Sequence, residues 1–224
     1  MSLRSVILLT IAVSTAFFAA DSPDLKVTTV DKAPSGVSAQ VAATIDPHGM
    51  VVGGSEGTVC EVWVGKSLAA KAGFKPVTNV KYPFQVGELV GVLRVAEKSE
   101  FTDFRGQPVK PGVYTLRYGQ QPQDGNHIGT SETLDFLLAI PAASDNDPKP
   151  LAPPEKLLKS SAKAAGTNHP AIFSLLPPEG SVAEPSLAKD DNNHWVLSIP
   201  AHGNANGQKQ PLSLRLVVVG KAEG

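Results

Sequence analysis

Glycine and proline interrupt this chain about once in every six residues, since its 224 residues include 20 glycines and 19 prolines. Both residues end helices and mark turns, so this density excludes a coiled coil or any other fold built on long helices. Hydrophobic residues still make up 42% of the chain, which is enough to build a core and argues against disorder throughout. The sequence therefore predicts a loop-rich, mainly β globular protein.

Charge and cysteine content exclude further classes of protein. The formal net charge is −1 at pH 7, whereas proteins that bind nucleic acids usually carry a strong basic excess, so we expect no nucleic-acid partner. Cys60 is the single cysteine of the chain, which excludes an internal disulfide. Because Cys60 shares one face of an alternating segment with Val62 and Val64, it is predicted to be a buried, inert thiol.

Residues 1–20 have the order of parts that is typical of a secretory signal peptide. Arg4 precedes an apolar run, the run ends in small residues, and polar residues follow from Asp21. We expect export to the periplasm or exterior of a bacterial cell, because a eukaryotic secreted protein of this size usually carries disulfides. Cleavage after Ala19 or Ala20 and retention as an anchor are both open. No later segment approaches the length of a membrane span, so no integral membrane segment is expected after signal removal.

Alternating apolar and polar residues, bounded by turn residues, predict about nine strands. The predicted strands are 25–30, 37–45, 58–65, 89–96, 112–119, 133–140, 171–176, 195–199 and 213–219. Because they are short and show no alternation with helices, they favour an antiparallel β-sandwich of the Ig-like or a related type over a parallel sheet.

Helical signals are few in this sequence. One short surface helix is predicted over 154–165, where Pro154 suits the first turn and Gly166 the end, and one or two helical turns are predicted over 67–73.

The expected domain organisation is a signal peptide (1–20), a β-sandwich core (21–141), a Pro-rich connector (142–153) and a C-terminal part (154–224). This last part is expected to pack on the same domain, with a separate β-subdomain as the alternative. Residues 202–210 are predicted to be flexible.

Residues 101–141 carry the most distinctive pattern of the chain. Pro111-Gly112 turns the chain, and Tyr114 follows early in a strand, where its hydroxyl can return to the backbone as in a tyrosine corner. This pattern resembles the PG-x-Y-x-L strand openings of bacterial Ig-like and prealbumin-like modules. The GVYTLRY, QPQDGNHIGT and LDFLLAIPAASD segments together resemble an uncharacterised family of exported bacterial proteins, over most of the mature chain including 167–170. The resemblance implies export and a β-rich fold, and the family has no assigned activity.

The polar loop 120–130, between two strongly predicted strands, is the candidate binding region, because long loops on a rigid scaffold commonly carry function. Its candidate binding residues are Asp124, Asn126 and His127. Arg105 is added to them because it can bond this loop or Asp135. The ordinary interpretation of Arg105 is a structural ion pair with Asp103.

Metal binding is the sharpest alternative. His127 with His169 or Asp124 would supply imidazole and carboxylate ligands suited to zinc or copper. No pair of histidines has a recognised ligand spacing such as HxH or HExxH, so His127 is more simply interpreted as a turn residue bonded to the backbone.

Catalytic patterns are weak in this sequence. There is no G-x-S-x-G motif, and Trp63, opposite Cys60, is interpreted as a filler of a second core layer rather than a sugar-stacking platform. We therefore expect a non-catalytic structural or binding module without a cofactor, of unknown partner. The alternatives are a periplasmic metal-binding protein and, more weakly, an envelope hydrolase with two carboxylates in a cleft.

Overall fold

The computed structural model describes residues 24–122, 131, 133–180 and 182–222. The predicted signal peptide over 1–20 lies outside these residues. The described chain is mainly β, with 43% strand and 11% helix, and its eleven strands form one sheet that curves until it is nearly closed into a barrel. The sheet is antiparallel as predicted, but it is not clearly divided into the two layers of a sandwich. We call this curved sheet the barrel.

The strands run in chain order from β1 to β11, with two α-helices between them. They are β1 (Lys26–Asp31), α1 (Ala39–Thr44), β2 (His48–Gly54), β3 (Gly57–Val64), β4 (Leu68–Ala69), β5 (Leu89–Val95), β6 (Gly112–Gln120), β7 (Asp135–Pro141), α2 (Pro154–Ala165), β8 (Ile172–Leu176), β9 (Ser186–Lys189), β10 (Trp195–Ala205) and β11 (Gln208–Val219). A 3₁₀ turn over Ala142–Ser144 follows β7.

Neighbouring strands in the sheet follow the order β1-β2-β3-β5-β6-β7-β8-β11-β10, and both β4 and β9 pair with β10. Among the described strands, only the β4–β10 pair is parallel. β1 and β9 contact each other across the gap that nearly closes the barrel. Because β7 pairs with β8, the sheet is continuous across the predicted connector at 142–153.

Most of the predicted strands are present, together with the helix at Pro154–Ala165, which Gly166 ends in a left-handed conformation. The strand predicted over 37–45 is wrong, because Ala39–Thr44 forms α1. The Ser38 side chain accepts the backbone N–H of Val41 and caps this helix. Apolar residues at 37, 41 and 45 are four apart, a spacing that fits one face of a helix as well as one face of a strand.

Two further predictions are corrected. The helical turns predicted over 67–73 are absent, because Leu68 and Ala69 form β4 against β10. The stretch predicted to be flexible over 202–210 is an ordered hairpin between β10 and β11. Asn206 and Gly207 form its turn with φ of 52° and 81°, the pair of positive values that a two-residue type I′ turn requires.

Alternate residues of each strand face the barrel interior, where the main core lies. Cys60 is fully buried there, as predicted. The opposite faces of the strands are covered by the helices: α1 packs Val41 over Trp63, and α2 packs Leu157 over Leu138. Trp63 therefore fills a second core layer, as expected. No helix among the residues that the structure describes has the length and apolarity needed to span a membrane.

The two ends of the barrel are closed by different connections. At the end of the barrel where β6 finishes, the connection 70–88 turns inwards and buries Tyr82 and Phe84 beside Tyr118. The ring centroids of Tyr82 and Phe84 are 5.8 Å apart, and those of Phe84 and Tyr118 are 5.5 Å apart. We call this the plugged end. At the opposite end, the connection 96–111 leaves β5 and crosses to β8, where the backbone N–H of Phe104 donates to the Ile172 carbonyl at 2.8 Å.

Candidate functional site

Three of the predicted binding residues, Asp124, Asn126 and His127, lie outside the described residues. The strands on either side of them show where their loop leaves the barrel. Gln120, the last residue of β6, pairs with Asp135, the first residue of β7, at the plugged end.

Arg105 and His169 are both exposed, and their loops meet at the other end of β7. Gln107 joins the two loops: its Nε2 donates to the Pro170 carbonyl at 3.1 Å, and Thr167 Oγ1 donates to its Oε1 at 2.6 Å. From the register of β7 and β8, this junction lies about 20 Å along the strand from the point where the predicted loop begins. The structure therefore brings together the segments that carry Arg105 and His169.

Asp103 organises the Arg105 loop without pairing with its guanidinium, so the predicted ion pair is wrong. The buried Asp103 carboxylate accepts backbone N–H groups from Arg105 at 3.0 Å, Gln107 at 2.8 Å and Ile172 at 3.2 Å. Burial raises the pKa of Asp103, and the hydrogen bonds from Gln107 and Ile172 oppose that rise. This carboxylate fastens the connection 96–111 to the start of β8.

Asp135 is buried at the plugged end, so it is not the partner of Arg105 either. Its carboxylate accepts the Tyr118 hydroxyl and the backbone N–H of Lys81, the latter at 2.6 Å. Burial raises the pKa of Asp135, and it also raises the pKa of Tyr118. The pair holds the inward-turning connection 70–88 against the exit of the predicted binding loop.

The predicted connector 142–153 is held to the outer face of the barrel by Arg117. This side chain is fully buried, and its Nε and Nη2 donate to the Asp145 carboxylate at 2.6 and 2.8 Å. Its remaining N–H groups donate to the carbonyls of Gly87, Asp147 and Lys149 at 2.5 to 2.8 Å. All five donors of the guanidinium are therefore used. No local sequence pattern around Arg117 indicates this network.

Two histidines are engaged by neighbouring protein groups. His194 is buried, with Nδ1 at 3.2 Å from Asp190 Oδ2 and Nε2 at 3.1 Å from the Lys221 carbonyl. His48 is exposed, and its Nδ1 lies 2.7 Å from Asp46 Oδ1. Within the described part of the chain, no group of three or more His, Cys, Asp or Glu side chains is arranged to hold a metal ion. The predicted pairing of His169 with His127 stays a prediction, since His127 lies outside the described residues.

A recess of about 380 Å³ opens beside the connection 96–111, at the end of the barrel opposite the plug. We call it the groove, and it is lined by Leu25, residues 56–59, residues 98–102, Val218 and Val219. Apolar side chains form its floor: Leu25, Phe101 and Val218 are buried, and Val59 and Val219 beside them are half-buried. Glu56, Lys98 and Glu100 are exposed and form its rim. An apolar floor with a few polar groups around it is the usual composition of a small-molecule site.

The groove is mounted on strands of the barrel. One wall comes from the start of β3, another from the end of β11, and a third from the connection 96–111. β5 and β6 are paired neighbours that roughly two to five residues would join as a hairpin. The length of this connection was the sequence signal that could have indicated the groove, together with the polar run Glu97-Lys98-Ser99-Glu100 after a buried strand.

The chain was also compared with known proteins. No protein-family model, curated protein or solved structure matches it.

Proposed function

We propose that this protein is a non-catalytic binding module, exported to the periplasm or exterior of a bacterial cell, and that its ligand binds in the groove. The observation that carries the proposal is the groove itself, a recess of about 380 Å³ with an apolar floor and a charged rim. Its volume lies within the range of about 300–1,000 Å³ that is usual for small-molecule sites. Export rests on the signal-peptide pattern of residues 1–20.

The surroundings of the buried titratable groups favour binding over catalysis. A general acid or base must reach the substrate, whereas Asp103 and Asp135 accept hydrogen bonds from backbone and side-chain donors of the protein. Burial raises the pKa of the Cys60 thiol to about 12, so this residue stays protonated and is a poor nucleophile. These groups are better explained as parts of the scaffold.

The proposed ligand position differs from the one that the sequence favoured. The loop 120–130 leaves the barrel at the plugged end, whereas the groove lies at the opposite end. A recess formed on strands gives a ligand a preformed surface, which lowers the entropic cost of binding. We therefore propose the groove as the primary site.

The proposal is tested by screening the full-length chain against a library of small amphipathic molecules, with thermal stabilisation and ligand-observed NMR as readouts. Thr58 is exposed at the rim, and Thr58→Trp would fill the groove. Thr28→Trp is the matched control, because Thr28 is an exposed strand residue that does not line the groove. We expect ligands that bind the wild type and Thr28→Trp but not Thr58→Trp. A screen without ligands, ligands that bind both variants equally, or turnover of a screened compound would contradict the proposal.

A further inference from the structure

The rim of the groove carries more negatively charged than positively charged side chains. Glu56 comes from the turn between β2 and β3, and Glu100 and Lys98 come from the facing connection 96–111. The lining therefore carries two carboxylates, from different walls, and one ammonium group. In the part of the chain that the structure describes, no ion pair engages any of the three, although salt bridges such as Lys26 with Asp24 form nearby. The rim carboxylates are free to pair with a ligand.

The apolar lining of the groove favours a ligand with an apolar part. Leu25 and Phe101 are each 4% exposed and Val218 is 2% exposed, so these side chains are almost covered. The apolar surface that a ligand can reach comes from Val59 and Val219, which also line the groove and are half-buried. An apolar group placed on Val59 and Val219 removes that surface from water, which favours binding, whereas a wholly polar ligand gains nothing from it.

The size of the groove limits the ligand. A volume of about 380 Å³ holds about a dozen non-hydrogen atoms, at the roughly 30 Å³ that each water molecule occupies in the liquid. The occupant is therefore a small molecule, or one long side chain of a peptide, rather than a folded domain.

We infer that the groove binds a small cationic amphiphile, an organic ammonium whose apolar body lies on Val59 and Val219 and whose charge lies between Glu56 and Glu100. This inference rests on the proposed function and names its ligand class. Electrostatic complementarity contributes specificity at such a rim more than total affinity, because the rim is solvent-exposed. The ligand's sign of charge is therefore the property to test.

The test uses three probes of equal chain length, n-octylammonium, n-octanoate and n-octanol, titrated calorimetrically into the full-length chain below their micelle-forming concentrations. We expect n-octylammonium to bind about fivefold more tightly than n-octanoate, with n-octanol between them, because this is the ratio that an exposed ion pair can supply. The difference is expected to shrink as salt is raised, because exposed charges are screened.

Variants of the rim carboxylates test whether the rim causes the preference for the ammonium probe. We expect the double variant Glu56→Gln with Glu100→Gln to remove most of the preference for the ammonium probe. Glu184→Gln is the matched control, because Glu184 is an exposed carboxylate outside the groove, and it is expected to leave the preference unchanged. Thermal unfolding of each variant verifies that it is folded.

The possible outcomes separate this inference from the proposed function. Equal binding of the three probes, or tighter binding of n-octanoate, would overturn the cationic inference while leaving a binding groove, provided that Thr58→Trp still abolishes binding. Binding that is insensitive to Thr58→Trp would overturn the proposed function as well. A failure of all three probes to bind would overturn the inference, while the library screen would still decide the proposed function.

Discussion

Asp145→Asn tests how the segment 142–153 is fixed to the barrel. In the wild type the fully buried Arg117 guanidinium donates from Nε and Nη2 to the Asp145 carboxylate at 2.6 and 2.8 Å. The substitution keeps the size of the side chain but leaves the guanidinium charge without a counter-ion. Removing one partner of a buried ion pair costs about 3–5 kcal/mol, a large share of the roughly 5–15 kcal/mol of a typical domain.

The assay is equilibrium unfolding in urea, followed by fluorescence and circular dichroism. At an m-value of about 2 kcal/mol/M, a loss of about 4 kcal/mol lowers the unfolding midpoint by about 2 M. The double variant Arg117→Met with Asp145→Leu is expected to lose less than the single variant, because it removes both charges together. The Gly87 carbonyl keeps a partner in the double variant, since it also accepts the backbone N–H of Leu151 at 3.0 Å.

Asp24→Asn is the control, because the Lys26–Asp24 pair is 3.9 Å apart and strongly exposed. We expect this variant to change the free energy of unfolding by less than about 1 kcal/mol. An Asp145→Asn protein within 1 kcal/mol of the wild type would refute the reasoning. A double variant as unstable as the single one would also refute it.

Three further predictions concern other parts of the chain. Gly49→Ala is expected to lower the free energy of unfolding by about 1–3 kcal/mol, since its Cβ would lie 2.3 Å from Trp63 Nε1, and unchanged urea unfolding would contradict this. The hydrogen bond to Asp46 raises the pKa of His48, so an NMR titration should give a midpoint above the ordinary value that falls in Asp46→Asn. The stabilisation from His48 is then fully present below the ordinary pKa and is lost as pH rises through the raised one; a midpoint unaffected by Asp46→Asn would show that the pairing is absent. For the metal alternative, stoichiometric zinc or copper in the purified chain, lost in His127→Ala, is the result that hypothesis predicts, and elemental analysis that finds no metal after incubation would reject it.

Most strands could be predicted because one face of the sheet packs against the main core. Apolar residues therefore recur at every second position along the strand. The tyrosine corner is the clearest case: the Tyr114 hydroxyl donates to the Lys110 carbonyl at 2.7 Å, as the PG-x-Y-x-L pattern predicts. The turn at Asn206-Gly207 was also predictable, since Asn-Gly between alternating segments is a strong hairpin signal. The prediction of flexibility rests on the Gly and Asn content of residues 202–210, which is common to mobile loops and to tight turns.

Other features depend on contacts that leave no local pattern. Arg117 and Asp145 are 28 residues apart, and nothing near either residue indicates that they meet. The sequence of α1 also fits a strand, because a four-residue spacing of apolar residues satisfies both periodicities. The groove is assembled from Leu25 before β1, the start of β3, the connection 96–111 and the end of β11, so only the folded chain brings its lining together.

The central claim is that the groove, rather than the loop at the plugged end, is the binding surface. An amide-detected NMR titration of the full-length, ¹⁵N-labelled chain with n-octylammonium tests it most directly. We predict that saturable shift changes concentrate at residues 56–59 and 98–102, which line the groove. Changes confined to residues 119–122 and 133–135, which flank the loop at the plugged end, would contradict the claim.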